Sequence, residues 1–388
     1  MMRTGICELF DIKYPIFAFS HSREVVAAVT QAGGLGVLGA AAHSPERLDT
    51  DLAWIGGQVG SLPFGVDLIV PAKYAGKDDG GLSIQALTDM IPPGHRAYLD
   101  QLLARYEVPP LADTDNQADT RPLDSWTEDE APMTYEQAVP LMDVAFSHPI
   151  SLIVNALGPP PPDMVERAHS NGVKVGALAG KKSHAVRHVA GGVDVIIAQG
   201  YEAGGHTGEI GTMVLVPEIV DAVAPLPVLA AGGIGNGRQL AASLALGAEG
   251  VWCGSVWLTT EEAETLPVVK EKFLDATSSD TLRSRSRTGK PARQLRSAWT
   301  DEWEGPDSPG PLGMPLQPIL TAEASKRIDQ ASTDPDNQGA IKLANYFVGQ
   351  IVGSLDQLTT VDRVVVEMVD EFVEAAARLN DLSADSSL

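Results

Sequence analysis

The stretch VDVIIAQGYEAGGHTG, residues Val193–Gly208, joins a short apolar run to a glycine-rich loop. The apolar run Val193–Ala198 predicts a strand of a parallel sheet that is buried on both faces. In the loop, glycines let the backbone approach a flat ligand closely, because they lack a side chain and adopt conformations closed to other residues. The imidazole of His206 can move a proton near neutral pH. The stretch therefore predicts a cofactor site with a base beside it.

The same alternation of apolar strands and helices continues on both sides of this stretch. Eight such units favour a closed (β/α)8 TIM barrel over an open sheet. The predicted strands are Tyr14–Ser20, Leu35–Ala40, Phe64–Val70, Ile150–Asn155, Val173–Leu178, Val193–Ala198, Pro227–Ala231 and Gly250–Cys253. The predicted helices are Arg23–Ala32, Pro45–Gly56 with Ser44 as N-cap, Pro162–Ser170, Ser183–Ala190, Leu215–Val223, Gly237–Leu246, Glu261–Ala276 and Val361–Leu379.

Changes in composition divide the chain into four parts. We expect barrel strands one to three in residues 1–72, an acidic insertion in 73–147, and strands four to eight in 148–260. The remainder, 261–388, is expected to be mostly helical and to pack on the barrel. Within the insertion, helices are predicted at Leu82–Met90 and Gly94–Tyr106, and its role is open between a lid and a subunit contact of a homodimer.

Charge and cysteine content limit the classes of partner. The net charge of −23, from 28 basic and 51 acidic residues, argues against nucleic acid and anionic membranes. Cys7 and Cys253 form neither a disulfide framework nor a metal-ligand pattern. Residues Met1–Asp11 lack the apolar segment of a signal peptide, and no apolar run is long enough to span a bilayer. We therefore expect a cytoplasmic protein with a small-molecule substrate and no metal.

A second informative segment is Pro227–Ser255, which contains PVLAAGGIGNG and WCGS. In TIM barrels, the loops after strands seven and eight often bind phosphate through glycine N–H groups and a helix N-terminus. Gly232-Gly233 and Cys253-Gly254-Ser255 are at these two places. Either loop alone could be a tight turn, but the two together favour a phosphate site.

These motifs, in this order from Ala198 to Ser255, resemble the nitronate monooxygenase family, formerly called 2-nitropropane dioxygenases. The resemblance implies an FMN-containing TIM barrel. In that family, a nitronate gives an electron to the flavin, and the radical reacts with dioxygen, leading to a carbonyl compound and nitrite. TGKPAR at Thr288–Arg293 and NYFVGQ at Asn345–Gln350 are similar to further segments of the family.

The resemblance also implies site residues. The family's catalytic base falls on His206, although a histidine that only orders the glycine loop remains the alternative. The predicted cofactor-binding residues are Asp67, Lys182, Gln199, Gly204, Gly205, Gly232, Gly233, Trp252, Cys253, Gly254 and Ser255.

Some of these positions depart from the family pattern. Asp67 stands where the family usually has Asn, and an ionised Asp only accepts hydrogen bonds whereas Asn also donates. It either faces a different edge of the flavin or is not a ligand. Phe17–His21 replaces an Ala-Pro-Met turn under the flavin, and His21 could line the pocket. Lys182 is either a cation near the flavin ring or a solvent-exposed lysine at a helix start.

Other residues are given structural roles. Glu202 is expected to bond loop N–H groups, Cys253 to be buried packing, and the basic run 283–296 to be a solvated face or, alternatively, to hold an anionic substrate tail. Two other functions stay open: an NAD(P)H-dependent flavin reductase acting on quinones or enoyl thioesters, and a barrel that has lost catalysis and only binds a phosphate ligand.

Overall fold

The computed structural model describes residues 3–70, 83–111, 135–156 and 158–384. Its strands are β1 (Ile16–Ser20), β2 (Leu35–Gly39), β3 (Gly65–Leu68), β4 (Leu152–Asn155), β5 (Lys174–Ala179), β6 (Val195–Gln199), β7 (Gly205–His206), β8 (Val228–Ala231), β9 (Gly250–Cys253), β10 (Thr281–Ser284) and β11 (Ala292–Leu295). Eight parallel strands close a barrel in the order β1-β2-β3-β4-β5-β6-β8-β9. The predicted TIM barrel is confirmed, and each of its strands falls on a predicted one.

The helices follow the strands in the expected alternation. They are α1 (Gly5–Phe10), α2 (Arg23–Gln31), α3 (Pro45–Val59), α4 (Ile84–Asp89), α5 (Pro93–Arg105), α6 (Tyr135–Ser147), α7 (Pro162–Ser170), α8 (Lys182–Ala190), α9 (Thr212–Val223), α10 (Gly237–Ala245), α11 (Pro267–Asp275), α12 (Ala298–Trp303), α13 (Leu316–Ala331), α14 (Gln338–Leu343) and α15 (Val361–Ala384). Ser44 caps α3 as predicted, since its side chain accepts a hydrogen bond from the Arg47 N–H.

The barrel interior forms one of two apolar cores. Side chains such as Phe17, Val154 and Ile197 point inward from alternate strand positions and are fully buried. Helix α1 closes the N-terminal mouth of the barrel, where Ile6 and Phe10 pack into the same cluster. The second core lies between the strands and the surrounding helices. Among the described residues, α1 closes the N-terminal mouth, so the C-terminal side is where a ligand would enter.

The C-terminal helix α15 completes the ring of helices around the barrel. It packs between α10 and α2, where an eighth barrel helix belongs. The close approach requires Gly237, because a Cβ there would lie 2.2 Å from the Met368 carbonyl oxygen. The 254–360 segment is thus an excursion between the last strand and the last helix.

This excursion meets the region between β3 and α6. Helices α4 and α5 pack on α13. The ring of Tyr98 contacts that of Trp303 edge-on with centroids 5.2 Å apart, and the Tyr98 hydroxyl donates to the Glu302 carbonyl oxygen. Helix α4 lies within the predicted Leu82–Met90, of which Leu82 is outside the described residues. Residues 73–82 and 112–134 of the predicted insertion are also outside them.

The C-terminal region differs from prediction in two respects. The helix predicted at Glu261–Ala276 begins only at Pro267, because proline is well suited to the first helical turn and poorly suited to its interior. Strands β10 and β11, which were not predicted, form a small sheet with β7. No helix in the described ranges is long and apolar enough to cross a membrane.

Candidate active site

A cavity of about 300 Å³ opens at the C-terminal ends of the barrel strands. This is the position at which TIM barrels place their active sites. All but one of the predicted site residues line it: Asp67, Gln199, Gly204, Gly205, His206, Gly232, Gly233, Trp252, Cys253, Gly254 and Ser255. The structure therefore brings together residues from strands three, six, seven and eight of the barrel.

Lys182 is the exception. It is the first residue of α8, its side chain is exposed, and it does not line the cavity. Of the two readings of Lys182, the structure agrees with a helix-start lysine in solvent. The sequence context alone did not show on which side of the helix start the side chain would lie.

The loop carrying His206 is held by a distant part of the chain. Residues Gly205 and His206 form β7, which pairs antiparallel with β11 through Ala292 opposite His206 and Arg293 opposite Gly205. Further along, Gln350 N–H donates to the carbonyl of Glu202 at 2.9 Å. Both contacts come from the excursion between β9 and α15, so that region shapes the site directly.

One hydrogen bond fixes the His206 ring. Its Nε2 lies 2.8 Å from Thr288 Oγ1, and the same hydroxyl is 3.1 Å from the Lys290 carbonyl oxygen. A hydroxyl has a single proton to donate. With that proton given to Lys290, the His206 Nε2–H donates to Thr288 and Nδ1 keeps the lone pair. Nδ1 has no hydrogen-bond partner in the described ranges, so this arrangement leaves a proton acceptor on the cavity wall.

The electrostatic setting keeps this imidazole neutral. Burial, and secondly the charge of Lys290, lower the pKa of His206 to about 4. At neutral pH the ring is therefore in its basic form. An imidazole whose conjugate acid has such a low pKa is a weak base in water, so close positioning against the group that gives up the proton would have to assist the transfer.

The loops after β8 and β9 present backbone donors to the cavity. Among the described residues, the N–H groups of Gly233, Ile234 and Gly254 have no hydrogen-bond acceptor. Gly233 has φ +71°, a conformation that favours glycine. The hydroxyl of Ser255 accepts from Gly349 N–H at 2.8 Å, which leaves its own proton available. Such a group of unsatisfied donors fits a phosphate.

The N-terminus of α10 does not supply these donors, contrary to the expectation that a helix end takes part. Gln239 accepts from the Gly235 and Asn236 N–H groups, and Asn236 in turn accepts from Gln239 N–H. Glu371 accepts from Gly237 N–H at 3.0 Å. The helix end is thus already satisfied by its capping box and by α15.

The opposite wall of the cavity comes from β1 to β3. His21 lines it, as one reading of the sequence allowed, and its Nδ1 lies 2.6 Å from the Gly39 carbonyl oxygen. Nδ1 therefore carries the proton and donates it. Burial, in first place, lowers the pKa of His21 to about 3. Asp67 lies nearby in the sheet, and burial raises the pKa of its carboxyl well above the usual range.

Comparison with known proteins agrees with this arrangement. The family model described as nitronate monooxygenase matches residues 3–371. The chain belongs to the nitronate monooxygenase family. It is accordingly an oxidoreductase, and its family is flavin-dependent in general.

Relatives of this family member cover nearly the whole chain. A Mycobacterium tuberculosis protein provisionally named a monooxygenase is 59% identical, with 98% of this chain and 99% of that protein covered. The solved structure of nitroalkane oxidase from Streptomyces ansochromogenes is 26% identical with a TM-score of 0.76, covering 97% and 100%. FabK from Thermotoga maritima is 26% identical with a TM-score of 0.70, covering 98% and 100%.

Several residues with structural interpretations behave as expected. Glu202 accepts hydrogen bonds from the backbone N–H and hydroxyl of Thr212 at the start of α9. Burial raises the pKa of Cys253 to about 12, so its thiol is neutral packing and not a nucleophile.

The basic run 283–296 is only in part a solvated face. Arg285, Lys290 and Arg296 are exposed, but Arg293 is 2% exposed. Its guanidinium stacks on the Tyr201 ring at 4.4 Å and donates to the Tyr201 carbonyl oxygen. Because β11 pairs with β7, Arg293 lies in the interior of the protein. The cation–π contact compensates part of the hydration that its guanidinium loses on burial. Arg293 therefore supports the His206 loop.

Sequence reasoning did not assign site roles to several other lining residues. Thr288 and Phe347 lie in the two family-like segments TGKPAR and NYFVGQ, so the resemblance held a signal for them. Leu266 and Val269 also line the cavity, but nothing in their local sequence distinguishes them from core residues. In the described ranges, no cluster of three His, Cys, Asp or Glu side chains could hold a metal ion.

The neutral state of His206 predicts a specific pH dependence of stability. In the unfolded chain its pKa is 6.5, whereas in the fold it is about 4. Between these values the unfolded state binds the proton first, so the free energy of unfolding falls as pH decreases. We expect His206→Gln to reduce this slope by up to about 1.4 kcal/mol per pH unit, measured by urea denaturation. Above pH 7 the two curves should run parallel; equal slopes below pH 6.5 would show that the folded imidazole is charged.

Proposed function

We propose that this protein is an FMN-dependent enzyme that oxidises alkyl nitronates, and with the help of His206 also nitroalkanes, using dioxygen. The products are a carbonyl compound and nitrite. The observation that carries this proposal is a neutral imidazole with a free ring nitrogen that shares one cavity with the unsatisfied N–H groups of two neighbouring barrel loops.

The residues present fit a flavin mononucleotide. Gly233, Ile234 and Gly254 offer N–H donors to a single phosphate, and Ser255 offers a hydroxyl. A Cβ at Gly205 would meet no atom within 4 Å, so this part of the wall leaves room for a planar ring. No lysine or arginine among the described residues lines the cavity. Recognition of the phosphate would therefore depend on backbone N–H dipoles, including those at the start of the 3-10 turn Ser255–Trp257.

Each part of the site would then have a distinct task. The flavin, when bound, would supply the one-electron chemistry. His206 would take the proton next to a nitro group at Nδ1, or hold the nitro oxygens when protonated. Thr288 would hold the ring through Nε2. Overall, two nitronate anions and one dioxygen would give two carbonyl molecules and two nitrite ions, which balances both atoms and charge.

The setting of the proposal follows from the sequence. We keep the expectation of a cytoplasmic protein, with which the two buried free thiols Cys7 and Cys253 agree. A homodimer stays a prediction, as does a role of the insertion as lid or subunit contact.

FMN binding is tested by crowding the phosphate loop. We expect Gly233→Leu to weaken FMN binding at least about ten-fold. Residue 233 has a φ of +71°, and a Cβ there would lie 3.2 Å from Glu202 Cβ, so the loop would have to shift. Gly172→Leu is a matched control: Gly172 has φ +72° in open space away from the cavity. Titration followed by flavin fluorescence measures both. Unchanged affinity of Gly233→Leu would place the phosphate elsewhere.

The role of His206 is tested by two substrate forms. We expect His206→Ala to keep FMN but to lose about 10²- to 10⁴-fold in turnover of a neutral nitroalkane, the usual contribution of a general base. The preformed nitronate already lacks the proton, so its turnover should fall much less. Nitrite release measures both rates. Equal turnover of the neutral nitroalkane in both proteins would remove His206 from this role.

A reductase that uses NAD(P)H is the second candidate. It is supported by the likeness to FabK over nearly the whole chain and by the changed first strand, with Phe19 and His21 on the cavity wall. Anaerobic mixing of the FMN-loaded protein separates the two functions. We expect bleaching of the flavin by a nitronate and little by NADH or NADPH. Rapid bleaching by a nicotinamide cofactor would favour the reductase.

A further inference from the structure

The carboxyl group of Asp67 is isolated in the barrel interior. On β3, Val66 and Leu68 belong to the core between strands and helices, so alternation points Gly65 and Asp67 inward. Asp67 is 2% exposed and lines the cavity. Its Oδ1 is buried and has no hydrogen-bond partner in the part of the chain that is described. A buried polar atom without a partner, at the wall of a cavity, points to a ligand.

Among the described residues that line the cavity, no cation compensates this carboxyl. Its neighbours in register on β2 and β4 are Gly39 and Val154, which do not ionise. The ionisable side chains lining the cavity within the described ranges are His21, Asp67, His206, Cys253, Glu264, Asp329 and Tyr346. Both histidines are neutral at pH 7, because burial lowers the pKa of His21 to about 3 and that of His206 to about 4.

Burial without a counter-ion favours the uncharged form of a carboxyl group. Accordingly, burial raises the pKa of Asp67 well above its usual range. A protonated carboxyl has one O–H donor and one carbonyl acceptor. An asparagine side chain likewise donates and accepts, and it is the residue that the family resemblance places at this position.

We propose that Asp67 holds a proton at neutral pH and donates it in a hydrogen bond to the flavin, as a neutral substitute for asparagine. This inference rests on the proposed FMN binding. It reconciles an acidic residue at this position with the hydrogen-bond donor that asparagine would supply. It also places no negative charge beside a ring that has to take up electrons.

The protonation state can be read without activity. Infrared spectra of the protein at pH 7 should contain the C=O stretch of a protonated carboxylic acid that is lost in Asp67→Asn. Asp51→Asn is a matched control: Asp51 is also buried, but it accepts hydrogen bonds from Arg23 and Arg47, and the pKa of its carboxyl is lowered. That variant should keep the band. Absence of an Asp67-dependent band would overturn the proposal even if FMN binds.

The hydrogen bond is tested through FMN affinity. We expect Asp67→Asn to bind FMN within about three-fold of the wild type, and Asp67→Leu, which has neither donor nor acceptor, to lose about ten- to a hundred-fold. Binding to the wild type should weaken as alkaline pH ionises Asp67, whereas binding to Asp67→Asn should not follow this titration. A shift of the infrared band on adding FMN would identify the carboxyl as the contact.

The outcomes separate this inference from the function on which it depends. If the wild type does not bind FMN, the proposed function fails, and the inference fails with it although the infrared band still reports the proton. If the wild type binds FMN and Asp67→Leu binds equally well, only the donor role of Asp67 is overturned. Stronger binding by Asp67→Asn than by the wild type, with no infrared band, would show an ionised and repulsive Asp67.

Discussion

The pairing of β7 with β11 is the constraint on which the site depends. The loop after β6 is rich in glycine, so by itself it would have many accessible conformations and a high cost of ordering. Contacts with distant residues hold the loop in place. Ala292 pairs with His206 in the sheet, and the Thr288 hydroxyl bonds the His206 ring. Gly349 packs so closely on Gly204 that a Cβ on Gly204 would lie 2.9 Å from the Gly349 backbone nitrogen. The barrel supplies the floor of the site, and the excursion between β9 and α15 fixes the position of His206.

A second property of the site is that its described wall carries no positive charge. The protein has a net charge of −23, yet the described cavity wall contains no lysine or arginine, and its two histidines are neutral. In such a place, dipoles and single hydrogen bonds act with little screening by water. The oriented N–H groups, the Ser255 hydroxyl and the ring nitrogens of His21 and His206 can then distinguish donor from acceptor atoms of a ligand. A fixed charge would cost free energy unless the ligand paired with it.

The sequence was informative where local pattern decides structure. The barrel strands are short, mostly apolar runs between turn residues, and the glycine loops at Gly233 and Gly254 stand at the ends of such runs. The barrel and most of the cavity wall were therefore predictable. Contacts between distant segments were not. A two-residue strand such as β7 has no pattern of its own, and the burial of Arg293 depends on a partner more than eighty residues away. The exposure of Lys182 depends on how α8 starts, which its sequence context left open.

The departures from the family pattern gather on one wall, which would let the proposed reaction serve a different substrate. The loops after β8 and β9 and the His206 loop carry the residues on which the family resemblance rests, whereas the wall of β1 to β3 has Phe19, His21 and Asp67. On this wall, a different residue type can still offer the same hydrogen-bond donors and acceptors. A protonated Asp67 offers the same donor and acceptor as asparagine, and His21, by donating Nδ1–H to Gly39, exposes only an acceptor at Nε2. Phe19 then remains as the residue that changes the shape of this wall relative to the family pattern. Its ring stacks on that of Trp252, with the two centroids 6.1 Å apart. Substrate selection is therefore better sought in the volume around Phe19 than in the groups that handle protons.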